Sequence, residues 1–458
     1  MTPLALIAKE AKCIVTGSDV EQEFITDAAL KKAGITPFAG FAPEHIAQPD
    51  LVITTGAHGG FDNIEVQTAK SKNIPVMSAG EALGAFMEGK IFGREFMGIS
   101  VAGTHGKTTT TAMLATMLKE NKLDPTYVIG TGDVGSLGAP GHLGKGKHFV
   151  AEADEYATEP QHDKTPRFLW QHPHIAIITN IEFDHPDIYG SIDAVRAAFS
   201  QFINKLPANG TVIAYGDDHE IRKMLRTYNK KVITYGFNPD NQYVFKRVTL
   251  SGEQLFFWIE SHGTSLGQFR LHVSGEHNAL NALAVIITGL ELGVPLEKIR
   301  KGLLAFRGSK RRLEYIGETL TGAKVYDDYA HHPTEIKTII KTLKQQYPKK
   351  HIIAIFQPHT YSRTKKLFGE FQRSFEDIDT VIITDIYASL REKPDTTVSA
   401  QLMIEGMRSL HREVLYLPQL SDVVKYINKK RYRANTVIVT MGAGDVYTIH
   451  SEIGIQDE

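Results

Sequence analysis

The stretch Ser100–Met113, SVAGTHGKTTTTAM, sets Gly103, Gly106, Lys107 and Thr108 where an apolar run gives way to a helix-forming one. Glycines at such a junction let backbone N–H groups wrap phosphate oxygens, and the following helix N-terminus adds positive potential. Lys107 then reaches the terminal phosphates, and the Thr108 hydroxyl suits magnesium. The loop is shorter than G-x-x-x-x-G-K-[ST], because Gly103 stands three residues before Gly106. A Gly-rich turn with a solvated lysine is the bland alternative, and the order strand, loop, helix speaks against it.

Further along, HFVAEADE ends an apolar run in Glu152, Asp154 and Glu155. Magnesium takes one or two carboxylates and keeps several waters, so Glu152 is the best candidate, although three acids also suit a solvated strand end. In TNIEFDH, Asn180 sits at the mouth of another apolar run, followed by Asp184 and His185. Imidazole is an uncommon magnesium ligand, so the residue alone argues against His185 in that role. GEHNALNA supplies His277, Asn278 and Asn281, and these amides suit a base or ribose or equally a helix cap. Arg311 and Arg312 either bind phosphate from a domain join or form an exposed basic linker. Near the chain's last third, VYDDYAHHPTE gathers Asp327, Asp328, Tyr329, His331 and His332, and FQPHTYSRT adds His359, Ser362 and Arg363. Acids there suit ribose hydroxyls, and arginine or histidine a carboxylate or reacting group. Zinc on the histidine pair lacks supporting cysteines or spacing.

The elements that must position these groups follow from the hydrophobic pattern. Short apolar runs such as DLVITTGA and IPVMSA alternate with helical stretches over the first ninety-odd residues, the sign of β-α units on a parallel sheet. A second block opens at FMGISVAGTHGK, and its apolar runs end in polar residues that gather at one sheet edge. Tyr235 to Val273 is richer in alternating strand patterns, and the third block begins near Phe306, with Pro333 at a first helical position. The Gly-rich stretch Thr131 to Gly146 reads as a mobile surface loop. Charge is balanced, 51 Lys+Arg against 52 Asp+Glu, which gives no reason to expect nucleic acid as partner. The one cysteine, Cys13, fits a reducing compartment, and the lack of a long apolar run fits a soluble protein. Residue chemistry alone thus points to an ATP- and magnesium-using joining enzyme, with its phosphate loop in a central block and one substrate held by each flanking block.

GTHGKTTTTAM, EADE, NIEFDH, GEHNALNA, DDYAHHPTE, FQPHTYSRT and the late MGAGD, in this order, resemble the Mur ligase family of peptidoglycan synthesis through almost the whole chain. The resemblance implies three α/β domains. Residues 1–94 would form an N-terminal Rossmann-like, UDP-sugar-binding domain lacking its first strand. Residues 95–306 would form a central P-loop-type ATPase domain with a mostly parallel sheet, and 307–458 a C-terminal Rossmann-like domain that binds the amino acid. It also implies a cytoplasmic enzyme, monomeric or weakly dimeric, with ATP and Mg2+ as cofactors and small molecules, not nucleic acid or membrane, as partners. Its reaction would join L-alanine to the lactyl carboxylate of UDP-N-acetylmuramate through an acyl phosphate, a step that supports cell shape and division.

Carried over by motif, Gly103, Thr104, His105, Gly106, Lys107, Thr108 and Thr109 resemble the phosphate loop, and Asn180, Asn278, Asn281, Arg312 and Asp328 further nucleotide contacts. Thr108 and Glu152 resemble ligands of one magnesium and His185 of a second. Ser18, Asp19, His105, Tyr329, His331 and Arg363 resemble substrate contacts, with Lys107, Glu152, His185, Arg312 and His331 as the catalytic set. Two departures stand out. The family opens with a strand and a G-x-G-G-x-G-M loop, and Met1–Ala5 resembles the point where that loop ends, so a late start or a truncation is expected, with unpaired backbone and bare apolar surface in the first sheet. DEYATEPQHDKTPRFLW is more similar to members that attach a ready-made tripeptide, whereas FQPHTYSRT, in the amine-binding block, matches those that add L-alanine. Outside the ligases, a P-loop switch ATPase or a non-catalytic sugar-nucleotide binder are the rival classes.

Overall fold

The computed structural model describes residues 1–22, 24–388, 392, 394–411 and 413–456. Its contacts form two compact units: Met1–Thr249 with Leu255–Val273 and Asn278–Ser309, and Lys310–Glu458 with Leu250–Gln254 and Ser274–His277. Among the described residues no helix is long and apolar enough to cross a membrane.

The first unit is organised by a ten-stranded sheet. An interior strand, Met97–Ala102, is almost wholly buried and uninterruptedly apolar or small, as a parallel strand covered on both faces must be. It pairs in parallel with Ile175–Ile178 on one side and His148–Ala153 on the other, and Ala102 is level with both Ile178 and Ala153. That register makes the residues following all three strands neighbours at one edge. After Met97–Ala102 the chain passes through helix Lys107–Glu120 to Thr126–Val128, which lies beyond His148–Ala153. Later strands Ile175–Ile178, Thr211–Tyr215 and Lys231–Gly236 build outward on the opposite side, so the order reverses at the phosphate-loop strand, the place where open α/β sheets bind ligands. Tyr243–Ser251, Gln254–Ser261 and Thr264–Leu271 complete the sheet as the expected alternating strands.

The first block packs on this sheet. Leu4 and Ile7 of helix Thr2–Glu10 and Leu83, Phe86 and Met87 of helix Ala79–Met87 share one core with Val128, Phe149 and Ala151. Among the described residues its strands pair two by two, Ser18–Asp19 with Phe38–Ala39 and Val52–Thr54 with Val76–Ser78, and Ile14 is 97% exposed. The Gly-rich stretch Thr131–Gly146 is not the mobile loop its composition suggests. Gly141–His142 joins the sheet beside Thr126–Val128, Val134 and Leu137 are buried, and a Cβ on Gly141 would lie 2.5 Å from Pro3. The glycines there serve close backbone packing.

The second unit carries a seven-stranded sheet in the order Val414–Tyr416, Thr380–Ile383, His351–Phe356, Thr436–Met441, Lys324–Asp328, Glu314–Thr319, Ile455–Gln456. The first five run parallel, and Glu314–Thr319 returns antiparallel. Strand order reverses around Thr436–Met441, so Asp327–His332, Gln357–His359 and the MGAGD turn share one edge.

Candidate active site

The phosphate loop is held from three directions within the first unit. Asn180, just beyond Ile175–Ile178, accepts the His105 N–H through Oδ1 at 2.8 Å and donates from Nδ2 to the His105 carbonyl at 3.1 Å. Thr179 Oγ1 donates to that same carbonyl at 2.6 Å, and Thr104 N–H donates to the Asn180 carbonyl at 3.2 Å. Gly106 caps helix Lys107–Glu120 with φ 83°, and a Cβ there would lie 2.7 Å from Asn281 Oδ1. At Gly103, φ 142°, a Cβ would lie 2.0 Å from Thr179 Oγ1. Both positions combine a left-handed backbone with no room for a side chain, so only glycine fits.

Lys107 Nζ turns back on the loop, donating to the Gly103 carbonyl at 2.6 Å and to Glu155 Oε2 at 2.9 Å. Burial pulls this ammonium's pKa down, but the carboxylates of Glu155, Asp154 and Glu152 outweigh it, and the net shift is upward. Thr108 Oγ1 donates to Glu152 Oε2 at 3.0 Å, and Glu152 Oε1 accepts the Gly130 N–H. Buried Gln171 donates to the Glu152 carbonyl at 2.7 Å while accepting from Ser100 Oγ at 2.6 Å, which fixes this strand end beside the loop strand. His185, at φ 55°, has Nε2 3.7 Å from both Glu155 and Asp184. Thr109 is half-buried in the helix's first turn, and Asn281 Nδ2 donates to Asn278 Oδ1 at 3.3 Å. In the first block Ser18 Oγ donates to Glu65 Oε1 at 2.7 Å, the oxygen that also holds His45, and Asp19 lies 3.5 Å from His58.

In the second unit two adjacent arginines stand at the sheet edge beside Tyr329. Arg311 is buried, donates to Asp327 at 2.9 Å and to the Gly442 and Gly444 carbonyls, and so braces the MGAGD turn. Both guanidiniums lie over the Tyr329 ring, Arg311 at 5.1 Å and Arg312 at 5.2 Å. Asp328 accepts the backbone N–H groups of Leu313 at 2.6 Å and Ala330 at 2.7 Å. Burial pushes its carboxyl up to about 7, with Arg312 opposing and Glu335 adding to the shift. His331 Nδ1 lies 2.9 Å from the Tyr329 carbonyl, and its ring packs edge-on against Tyr329 and His359. Arg363, 6% exposed, donates from Nη1 to His359 Nδ1 at 3.3 Å. Thr360, at φ 66°, shows the backbone strain that marks functional turns. His332 caps helix Pro333–Gln346, with its side chain accepting from Thr334 N–H. That structural role separates it from His331.

Three family models match in succession: the "Mur ligase family, catalytic domain" over residues 1–91, the "Mur ligase middle domain" over 101–289 and the "Mur ligase, glutamate ligase domain" over 311–444. A UDP-N-acetylmuramate--L-alanine ligase of Desulfitobacterium hafniense is 40% identical over 435 residues, 95% of this chain and 92% of that protein. The chain belongs to the Mur ligase family. A second such ligase, from Acetivibrio thermocellus, is 39% identical across 100% of this chain and 94% of its own length. Among solved structures, the UDP-N-acetylmuramate-alanine ligase of Thermotoga maritima superposes with TM-score 0.80 at 29% identity, covering 99% of this chain and 95% of that one. A murein peptide ligase of Psychrobacter arcticus gives 0.72 at 26%, with the same coverage. The three-domain α/β fold expected from the motifs is therefore the fold of this Mur ligase.

Sequence reasoning gathered Lys107, Thr108 and Glu152 at one edge, and the structure brings them together. It named Glu155 among three acids without foreseeing that it pairs with Lys107, and it passed over Thr179, which clasps the loop. Period-two alternation would put Glu152 and Asp154 on one face of a strand and Glu155 on the other, but the strand ends at Ala153, and the turn beyond it carries Glu155 to the lysine.

Proposed function

We propose that this Mur ligase joins L-alanine to the lactyl carboxylate of UDP-N-acetylmuramate at the expense of ATP, forming a cytoplasmic precursor of peptidoglycan. The observation that carries the reading is the phosphate cradle, in which Gly103 and Gly106 make left-handed turns where no side chain fits and Lys107 stands beside the Thr108–Glu152 pair. Relatives named for the alanine reaction match at 40% and 39% over nearly the whole chain, and favour it over the tripeptide-adding alternative.

A carboxylate is a poor electrophile, so the γ-phosphoryl group of ATP is first moved onto it. The alanine amine then attacks the carbonyl carbon of the acyl phosphate, and phosphate leaves from the tetrahedral intermediate. Loop N–H groups other than those of Thr104 and His105, which Asn180 holds, bind the phosphates, and the Lys107 ammonium offsets charge that builds on them during transfer. The hard-oxygen pair Thr108 and Glu152 fits magnesium, with His185 beside Glu155 as a ligand of a second ion. Bound magnesium supplies charge neutralisation across the phosphate oxygens. Asn180 fixes the loop, Asn278, Asn281, Arg312 and Asp328 serve the nucleotide, and Ser18 and Asp19 serve the nucleotide sugar. Tyr329, His331 and Arg363 hold the amino acid, whose carboxylate suits a buried guanidinium.

The test is ADP release with UDP-N-acetylmuramate and, in turn, L-alanine, glycine, L-serine and the tripeptide. Release should depend on the nucleotide sugar and be fastest with L-alanine. Release without any amine would indicate a switch ATPase, and preference for the tripeptide a recycling ligase.

A further inference from the structure

Beyond the strand end that carries Glu152 lies a cation to which none of the steps above gives a role. Arg167 opens the short helical turn Arg167–Trp170, and its stem packs on the first block, since a Cβ on Gly80 would lie 3.2 Å from Arg167 Cγ. Backbone bonds from Arg167 N–H to the Tyr156 carbonyl and from Phe168 N–H to the Asp154 carbonyl, both 2.8 Å, tie this turn to the acidic strand end. Nη1 donates to Tyr156 Oη at 2.7 Å and lies 3.6 Å from Asp154 Oδ2. Nε is buried and has no hydrogen-bond partner among the described residues.

A guanidinium with one side satisfied and a buried N–H left over is an incomplete arrangement, because an unmade bond to a charged donor is costly. A brace between blocks would need only the stem and the Nη1 bond. The remaining donors of the planar fork suit a carboxylate. Position agrees with this chemistry. Asp154, 3.6 Å from Nη1, adjoins Glu155, which pairs with Lys107, and the Tyr156 ring lies 5.7 Å from that of His185, so the guanidinium borders the phosphate cradle on the side of the first block.

We propose that Arg167, steadied by Tyr156, binds the carboxylate of the acid substrate and holds it for phosphoryl transfer. This rests on the ligase reading above. Its test is direct binding, by calorimetry, of UDP-N-acetylmuramate and of UDP-N-acetylglucosamine, the same nucleotide sugar without the lactyl acid. The wild-type protein should prefer the acid-bearing ligand by about 10- to 100-fold, the range of one charged hydrogen-bonded contact. Arg167→Ala should abolish that preference and leave UDP-N-acetylglucosamine affinity within about twofold, while Arg167→Lys keeps part of it. Equal weakening of both ligands would reduce Arg167 to a brace and overturn the proposal, as would an undiminished preference in Arg167→Ala or none in the wild type. A wild-type protein that discriminates between the two ligands but forms no amide would sink the ligase reading and leave this one standing.

Discussion

At the scale of single residues, Lys107 is the group on which the chemistry turns. Its ammonium is engaged by Glu155 and the Gly103 carbonyl, and the surrounding carboxylates keep it charged at any physiological pH. Lys107→Ala should lower ADP release by about 10²–10³-fold, the usual cost of removing one preorganised transition-state donor, while circular dichroism retains the native signal. Near-normal turnover would remove Lys107 from the mechanism. Arg363 poses a different question, because its burial against His359 suits a ground-state contact with the amino acid. For Arg363→Ala we expect the KM for L-alanine to rise by about tenfold or more with the KM for ATP unchanged, and steady-state kinetics with each substrate varied decides it. Residue type made both groups legible in the sequence. The pairing of Glu155 with Lys107 and the place of Arg167 were not, since an acid two residues beyond a strand end and an arginine in a short turn carry no periodic signal.

At the scale of elements, the register of three strands does the positioning. Ala102, Ile178 and Ala153 are level, so the loop, Asn180 and the acids meet without a long connection. The turn from strand to helix depends on Gly106, where a left-handed backbone and the nearness of Asn281 both exclude a side chain. Gly106→Ala should destabilise the protein by about 1–3 kcal/mol in urea unfolding and raise the KM for ATP, because strain and displacement of Asn281 fall on the loop itself. Unchanged stability would show that the turn relaxes freely. Apolar runs ending in polar residues announced these strands, and glycine spacing announced the loop. Composition misled at Thr131–Gly146, because the same residues that loosen a surface loop also let backbones approach closely, and only the neighbours decide between those uses.

At the scale of the whole molecule, the first unit joins its N-terminal block to the central sheet partly through charge. His142, on the edge strand, places Nδ1 2.9 Å from Glu10 of helix Thr2–Glu10 and Nε2 3.2 Å from Asp124, and both nitrogens donate only when the ring is protonated. The Glu10 bond raises its pKa above the ordinary 6.5, burial opposes this, and Asp124 adds to the rise. With the folded value above the unfolded one, the contribution is complete below the unfolded pKa and is lost as pH rises through the folded one. The melting temperature difference between wild type and His142→Ala should therefore be larger at pH 6 than at pH 9, and an equal difference at both would exclude the charged clamp. The sequence by itself determined the class of fold, the phosphate loop and most of the polar groups along two sheet edges, because hydrophobic period and residue chemistry are local properties. Only the tertiary structure decided that Glu155 rather than Glu152 pairs with Lys107, that Arg311 is buried and braces the MGAGD turn, and that a Gly-rich segment is packed. Those outcomes depend on strand register and on burial by distant residues, neither of which is written in neighbouring positions of the chain.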